Sequence, residues 1–239
     1  MSHLRAMHAK CVVFDVDGTL VRLIPDVVLR RVYDIVSAYT TVDWETFLKL
    51  QSDTYSNWKA VRHGYPGRKR FIKLWSLFVQ RLGIRDPAPD SLAYVIQCEV
   101  EKTRDEIYPD ASATIERLAD HGYRLGILSE RSEQGIDSAL KNHGLNEFFG
   151  FRLSANGSPD AIGKRDPETW QKLISLAGCR ASEICYVTDE YDNDISEAEK
   201  FGIRSILIQR AVQHMRVSSV RTITTLAELD GILIPPMLA

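Results

Sequence analysis

The chain has 239 residues, of which 44% are hydrophobic and 26% charged, and its formal net charge is −2. This composition is typical of a soluble globular protein, and the balanced charge argues against nucleic acid or an anionic membrane as the main partner. The apolar run Cys11–Phe14 stops at Asp15, so we expect neither a signal peptide nor a membrane span, and a cytoplasmic location. The four cysteines include no C-x-x-C pair, which favours free thiols over a zinc site or a disulfide framework.

The first predicted element is the strand Cys11–Phe14, and about a hundred residues separate it from the next strand, far more than a simple crossover needs. In that interval apolar residues recur at helical spacing in four stretches, at residues 27–36, 47–58, 71–82 and 92–100. We therefore predict an all-helical cap domain at residues 22–105, inserted into a core that consists of residues 1–21 and 106–239.

The aromatic residues of the predicted cap are expected to form its own core rather than a platform on which a ligand stacks. They are Trp44, Phe47, Trp58, Phe71, Trp75 and Phe78. The basic segment Arg62–Arg70 joins two of the cap helices. A solvated loop is the favoured interpretation of this segment, and a contact with an anionic ligand is the alternative.

The second half of the chain alternates apolar runs with amphipathic stretches. The strand candidates are Arg124–Leu128, Ile184–Thr188 and Ser205–Ile208, with a weaker one at Phe149–Leu153. Helices are predicted at Asp110–Asp120 and Ser132–Asn142, each followed by glycine, and from the capping residue Asp166 to about Ala177. This alternation predicts an α/β fold with a doubly wound, mostly parallel, Rossmann-like sheet and a smaller helical cap.

Polar side chains follow the predicted strands where each strand ends. They are Asp15, Asp17 and Thr19 after the first strand, Ser129 after the second, and Asp189, Asp192 and Asp194 after Ile184–Thr188. The carboxyl ends of parallel strands meet at one edge of a sheet, where ligands bind. Two carboxylates about 4 Å apart repel by about 4 kcal/mol at an effective dielectric of about 20, so such a cluster must bind protons or a cation. All-oxygen ligation favours Mg²⁺, which commonly bridges carboxylates to a substrate phosphate that Ser129 and Lys164 would also hold.

Four short motifs, in this order and spacing, resemble those of the haloacid dehalogenase superfamily. They are DVDGTL at Asp15–Leu20, LGILS ending at Ser129, GKRDPETW with Lys164, and the pair Asp189 and Asp194. The resemblance is to the phosphatase branch with a helical cap inserted after the first strand, which includes phosphoglycolate phosphatases. It implies a haloacid dehalogenase-like core and a phosphomonoester hydrolase that acts on a small phosphorylated metabolite.

The resemblance also implies a role for each motif residue. Asp15 would be the nucleophile that forms an aspartyl phosphate, and Asp17 the general acid and then the general base. The phosphate would be bound by Thr19, Ser129 and Lys164. Mg²⁺ would be held by Asp15, the backbone carbonyl of Asp17, and Asp189, with Asp194 as a further ligand or a support. The cap would close over the substrate and determine its identity.

Four residues depart from the usual motifs of this superfamily. Thr188 stands in place of a glycine, Glu130 in place of asparagine or a small residue, Arg165 in place of a proline, and Glu190 is an additional acid. Glu130 and Glu190 are expected to disfavour highly charged substrates.

Other functions stay open at this point. Within enzymes, a phosphomutase or a dehalogenase-like hydrolase would use the same scaffold, although the dehalogenase branch lacks an aspartate at position 17. Outside enzymes, a catalytically silent binding protein of the same superfamily is possible, whereas receiver domains are shorter. Neither the substrate nor the oligomeric state is predicted by the sequence.

Overall fold

The computed structural model describes residues 6–22, 24–59, 67–103, 106–156, 163–210 and 220–236. The chain divides into two compact units, one of Met1–Arg22 with Asp105–Ala239 and one of Leu23–Arg104. The strands in the described ranges are β1 Met7–His8, β2 Cys11–Phe14, β3 Val21–Arg22, β4 Glu106–Ile107, β5 Arg124–Ser129, β6 Phe151–Ser154, β7 Ile184–Thr188, β8 Arg204–Ile208, β9 Arg221–Ile223 and β10 Leu233–Ile234. The helices are α1 Pro25–Val36, α2 Trp44–Lys59, α3 Gly67–Arg81, α4 Pro89–Glu101, α5 Ala111–Asp120, α6 Glu133–Asn142, α7 Pro167–Ala177 and α8 Ser196–Lys200.

The first unit is built on a six-stranded sheet with the order β6-β5-β2-β7-β8-β9, in which every neighbouring pair is parallel. β2 is central, and the strands that follow it in sequence lie on both sides of it, as in a doubly wound fold. Two short pairings accompany this sheet, β1 with β10 and β3 with β4. The predicted doubly wound, mostly parallel α/β fold is confirmed.

Both faces of the six-stranded sheet are covered, which explains why its strands are apolar throughout. Along β2, Val12 and Phe14 pack in the cluster that contains residues of α5 and α6. Cys11 and Val13 point to the opposite face, in the cluster that contains residues of α7. All four residues are fully buried. The alternation follows from the two-residue period of a strand.

The helix boundaries follow from local capping. Ser132 caps α6 by accepting a hydrogen bond from the Gly135 amide at 3.1 Å. Asp166 caps α7 by accepting from the Glu168 amide at 3.0 Å, and α7 ends at Gly178, which has a φ of 65°. These three residues provide the start and stop signals expected from the sequence.

In its described residues the second unit has four helices around their own apolar cluster, which includes Val32 of α1, Phe47 of α2, Phe78 of α3 and Ile96 of α4. Of the aromatic residues predicted for the cap core, Trp44, Phe47, Trp75 and Phe78 lie in or against this cluster. Trp58 is buried as well, and Phe71 is the exception. Phe71 is 37% exposed, so its assignment to the core was wrong; it lies on α3 beside Arg70, whose guanidinium contacts the Phe71 ring.

Two further expectations need correction. The basic segment Arg62–Arg70 is not a loop along its whole length, because its last four residues begin α3, while residues 62–66 lie outside the described ranges. The weaker strand candidate starts two residues later than predicted, at Phe151, because Asn146–Phe148 form a 3₁₀ turn. None of the helices in the described part of the chain is long and apolar enough to span a membrane.

Candidate active site

The register of three neighbouring strands brings the first, second and fourth motifs to the same sheet edge. Phe14 of β2 pairs with Ile127 of β5 on one side and with Val187 of β7 on the other. The amide of Asp15 donates to the carbonyl of Val187 at 2.9 Å. Asp15 therefore leaves the sheet between the ends of β5 and β7, the strands that lead to Ser129 and Asp189.

Lys164 connects the third motif to the other acidic residues. Its Nζ lies 2.9 Å from Oδ1 of Asp15 and 2.7 Å from Oδ2 of Asp194, and all three side chains are buried. The lysine is positioned by the 3₁₀ turn Gly163–Arg165, whose carbonyls accept from α7. Trp170 Nε1 donates to the carbonyl of Lys164 at 2.6 Å, which holds the backbone of this turn.

Asp194 is held by three donors on two elements, the turn Gly163–Arg165 and β7. It lies in the π-helical turn Tyr191–Ile195 that follows β7, a type of turn often found at functional sites. Its Oδ2 accepts from Lys164 Nζ, from the Tyr186 hydroxyl at 2.7 Å and from the Thr188 hydroxyl. Thr188, the departure from the usual glycine, therefore supports Asp194, and its hydroxyl also accepts from the Glu190 amide.

Asp17 forms an ion pair that the sequence did not indicate. Arg131 donates from Nε to Oδ2 of Asp17 at 2.9 Å and from Nη2 to Oδ1 at 2.5 Å. Arg131 follows Ser129 by two residues. Its positive charge near a strand end was the only feature of the sequence that could have indicated a role in the site. The pairing spans 114 residues of sequence, so it could not be inferred without the tertiary structure.

Asp189 packs against the loop that follows Asp15. Gly18 in that loop has a φ of 70°, and a Cβ at Gly18 would overlap the Asp189 carboxylate. A glycine is therefore required at this position for two reasons, its left-handed backbone and the close approach of Asp189. The first and fourth motifs are in direct contact here.

Burial and crowding among the acidic residues shift their ionisation. Burial raises the pKa of Asp15 well above its usual range, against the effect of Lys164, and the carboxylates of Asp194 and Asp189 raise it further. Asp189 is an exposed residue, yet the partial loss of solvent around its carboxylate and the charge of Asp194 raise its pKa to about 7. Burial opposes a charge on Lys164, yet Asp15 and Asp194 raise its pKa well above the ordinary value. The site is therefore short of positive charge.

Ser129 and Thr19 are both buried. Ser129 does not cap α6; its hydroxyl accepts from the Arg131 amide at 3.2 Å at the end of β5. Thr19 is fully buried, and within the described residues its hydroxyl has no hydrogen-bond partner. The Thr19 carbonyl accepts from Arg210, which also pairs with Asp110 at 2.7 Å. Thr19 is thus not exposed to solvent, and its phosphate contact stays a prediction.

The other departures from the usual motifs also have local contacts. Arg165 donates from Nε to the Asn193 side chain at 2.7 Å, and Asn193 donates to the carboxylate of Glu190. The carbonyl of Glu130 accepts from Asn156. These contacts hold the loops after β5 and β7, and the effect of the two glutamates on charged substrates stays a prediction.

The donor set fits a magnesium ion. In the described part of the chain no group of three or more His, Cys, Asp or Glu side chains is placed to hold a metal. Mg²⁺ is often bound by only one or two carboxylates, with water and substrate phosphate as the other ligands. The charges of the site comprise four carboxylates and two cations, namely Asp15, Asp17, Asp189 and Asp194 against Lys164 and Arg131. With all four carboxylates ionised, an excess of two negative charges remains, which a divalent cation would neutralise.

Comparisons with known proteins agree with this geometry. A family model for haloacid dehalogenase-like hydrolases matches residues 9–202. The chain is 34% identical over 103 residues to (S)-2-haloacid dehalogenase 4A of Burkholderia cepacia, a match that covers 43% of each chain. It is 23% identical over 212 residues to the phosphoglycolate phosphatase of Aliivibrio fischeri, covering 86% of each. The fold resembles that of the HAD-hydrolase YfnB of Bacillus subtilis, whose structure is bound to magnesium, with a TM-score of 0.76 and 16% identity over 95% of this chain and 99% of that one. The chain therefore belongs to the haloacid dehalogenase-like hydrolases, as its four motifs predicted.

Proposed function

We propose that this hydrolase is a phosphatase that transfers a phosphoryl group from a small phosphorylated metabolite to Asp15 and then to water. The observation that carries the proposal is the contact of Lys164 with both Asp15 and Asp194, at 2.9 and 2.7 Å. A buried ammonium next to a buried carboxylate at the edge of a parallel sheet supplies a nucleophile and a compensating charge in one place.

In the first step an oxygen of Asp15 attacks phosphorus, the bond between phosphorus and the ester oxygen breaks, and the alcohol leaves. Lys164 occupies Oδ1 of Asp15, so Oδ2 is the oxygen that we expect to attack. The ammonium of Lys164 also offsets the negative charge on the transferring phosphoryl oxygens. Ser129, at the end of β5, is the further candidate to contact these oxygens.

Asp17 is the residue that we expect to transfer a proton in both steps. Its side chain is 46% exposed, unlike that of Asp15, so it can meet the leaving group from the solvent side. It would donate a proton to the leaving oxygen and then take one from the water that attacks the aspartyl phosphate. That second attack breaks the bond between phosphorus and Asp15 and releases inorganic phosphate.

We propose that Mg²⁺ is the cofactor, bound by the carboxylates of Asp15 and Asp189 and the backbone carbonyl of Asp17. When bound, it would neutralise excess negative charge and polarise the phosphoryl oxygens. Asp194 was also a candidate ligand, but its Oδ2 accepts from three donors. We assign Asp194 the role of holding Lys164 in place.

A dehalogenase is the second candidate, favoured by the 34% identity to (S)-2-haloacid dehalogenase 4A over 103 residues. The same Asp15 would attack carbon instead of phosphorus and displace a halide. A halide leaves without a proton, so this reaction has no use for the exposed acid Asp17. The phosphatase is therefore the better supported of the two.

The test is to incubate the purified protein with a panel of phosphorylated metabolites and, in parallel, with 2-haloacids. We expect release of phosphate that depends on added Mg²⁺, stops with a chelator and is absent in Asp15→Asn. Arg180→Met is the matched control for a change that leaves the site intact, because Arg180 precedes β7 at the opposite edge of the sheet. Release of halide without phosphate would establish the dehalogenase instead.

A further inference from the structure

We propose that Arg131 is a positioning residue that holds the carboxylate of Asp17 in the orientation required for proton transfer. The inference rests on the proposed function, because it concerns the acid and base of the same reaction. It concerns a residue outside the four motifs, two positions beyond Ser129.

The contact between the side chains of Arg131 and Asp17 is bidentate. Nε of Arg131 donates to Oδ2 of Asp17 at 2.9 Å, and Nη2 donates to Oδ1 at 2.5 Å. Each carboxylate oxygen thus has its own guanidinium N–H, an arrangement that fixes the plane and the rotation of the carboxylate. A lysine at position 131 would keep the charge and lose this geometric restraint.

Arg131 is itself held from the protein side. Its side chain is 6% exposed, whereas that of Asp17 is 46% exposed, so the arginine lies behind the carboxylate and Asp17 faces solvent. The backbone of Arg131 is fixed at both polar atoms. Its amide donates to Ser129 Oγ at 3.2 Å, and its carbonyl accepts from Ser154 Oγ at 2.6 Å.

Such a restraint matters for an acid that must reach a leaving oxygen. A general acid works at about 2.6–3.2 Å from the atom that it protonates, and a displacement of about 1 Å can lower the rate by about a hundredfold. Asp17 lies on the loop after β2, and Arg131 lies on the loop after β5. The ion pair therefore links the acid to the strand end that carries Ser129.

The experiment compares two substrates in Arg131→Met and Arg131→Lys. One is p-nitrophenyl phosphate, whose leaving group departs without protonation, and the other is the best alkyl phosphate of the panel. For Arg131→Met we expect kcat/KM, which reports the attack of Asp15 on the substrate, to fall about a hundredfold on the alkyl phosphate and less than tenfold on the aryl phosphate. We expect kcat to fall on both substrates, because water attack on the aspartyl phosphate also uses Asp17. Arg131→Lys should lie between Arg131→Met and the wild type, and Arg180→Met should match the wild type.

Asp17→Asn should show the same preference for the aryl substrate, and adding Arg131→Met to it should cause little further loss, since Arg131 acts through Asp17. An equal loss of kcat/KM on both substrates, or no loss at all, would overturn the proposal. Failure of the proposed function would look different, because the wild type would then release phosphate from neither substrate.

A double-mutant cycle of melting temperatures tests the pairing of Arg131 with Asp17 without any substrate. Asp17→Asn removes the carboxylate charge that pairs with the buried guanidinium, so it should lower the melting temperature, and Arg131→Met in the same chain should recover part of that loss. Additive shifts of the two substitutions would show that Arg131 does not hold Asp17.

Discussion

Nζ of Lys164 lies 2.7 Å from Oδ2 of Asp194, the same oxygen that accepts hydrogen bonds from Tyr186 and Thr188. All four residues are buried. A buried carboxylate with three donors on one oxygen has a fixed position, and so has the lysine that it binds. Because Lys164 also contacts Asp15, the order of this buried cluster determines how the nucleophile is presented.

Thr188→Val tests the role of the threonine hydroxyl in this cluster. Valine has nearly the same shape but donates no hydrogen bond, so Asp194 would lose one donor inside the protein. We expect the free energy of unfolding to fall by about 1.5–3 kcal/mol, the usual value for a hydrogen bond to a charged group, and kcat to fall with it. Chemical denaturation and steady-state kinetics measure the two effects.

Thr188→Ser is the matched control, because it keeps the hydroxyl and removes only a methyl group. We expect it to retain most of the activity. If valine and serine behaved alike, the hydroxyl would have no part in holding Asp194, and the threonine would act through packing alone.

Gly18→Ala tests the contact between the first and fourth motifs. The added Cβ would overlap the Asp189 carboxylate on a backbone with a φ of 70°, so we expect both stability and activity to fall. Gly178→Ala separates the two causes, because Gly178 has a φ of 65° and open space where its Cβ would be. Left-handed backbone costs a non-glycine residue about 1–2 kcal/mol, so Gly178→Ala should lose stability and keep its kcat. Full activity in Gly18→Ala would contradict the contact with Asp189.

Alkaline pH should destabilise the protein through its buried thiols. Burial raises the pKa of Cys185 from 9.0 to about 12, and burial raises that of Cys11 likewise. Between pH 9 and 12 the folded chain keeps protons that the unfolded chain has lost, so stability decreases as pH rises, by up to about 1.4 kcal/mol per pH unit for each group. Denaturation at pH 8 to 10.5 should show a shallower decrease in Cys185→Ala, whereas Cys98→Ala, a change in the other unit, should follow the wild type.

The sequence predicted the main strands well because each is an apolar run that the sheet buries on both faces, and β2 and β7 match their predicted bounds. The two-residue strands β1, β3, β4 and β10 have no sequence pattern long enough to detect. Tertiary contacts could not be predicted in this way. Asp110 is the N-cap of α5, at the start of the predicted helix, but its carboxylate binds Arg210 and the Leu226 amide instead of capping the helix.

Within the candidate site, the sequence motifs identified Asp15, Asp189 and Asp194. In the structure Lys164 contacts Asp15 and Asp194, and Gly18 lies against Asp189. The motifs did not identify Arg131 or Tyr186. A tyrosine in an otherwise apolar strand needs a partner for its hydroxyl when it is buried, and that rule could have indicated Tyr186. The partner of Asp17 could not be predicted from the sequence, since a charged residue at a strand end does not indicate which carboxylate it will pair with.

The most direct test of the account is a search for the phosphoryl group on Asp15. Acid-quenched samples taken during turnover would be digested and the peptide that contains Asp15 examined by mass spectrometry, in the wild type and in Asp17→Asn. With p-nitrophenyl phosphate as substrate, whose leaving group needs no acid, we expect one phosphoryl group on Asp15, more of it in Asp17→Asn because water attack lacks its base, and none in Asp15→Asn. Release of phosphate while the Asp15 peptide stays unmodified in both active proteins would contradict Asp15 as the nucleophile.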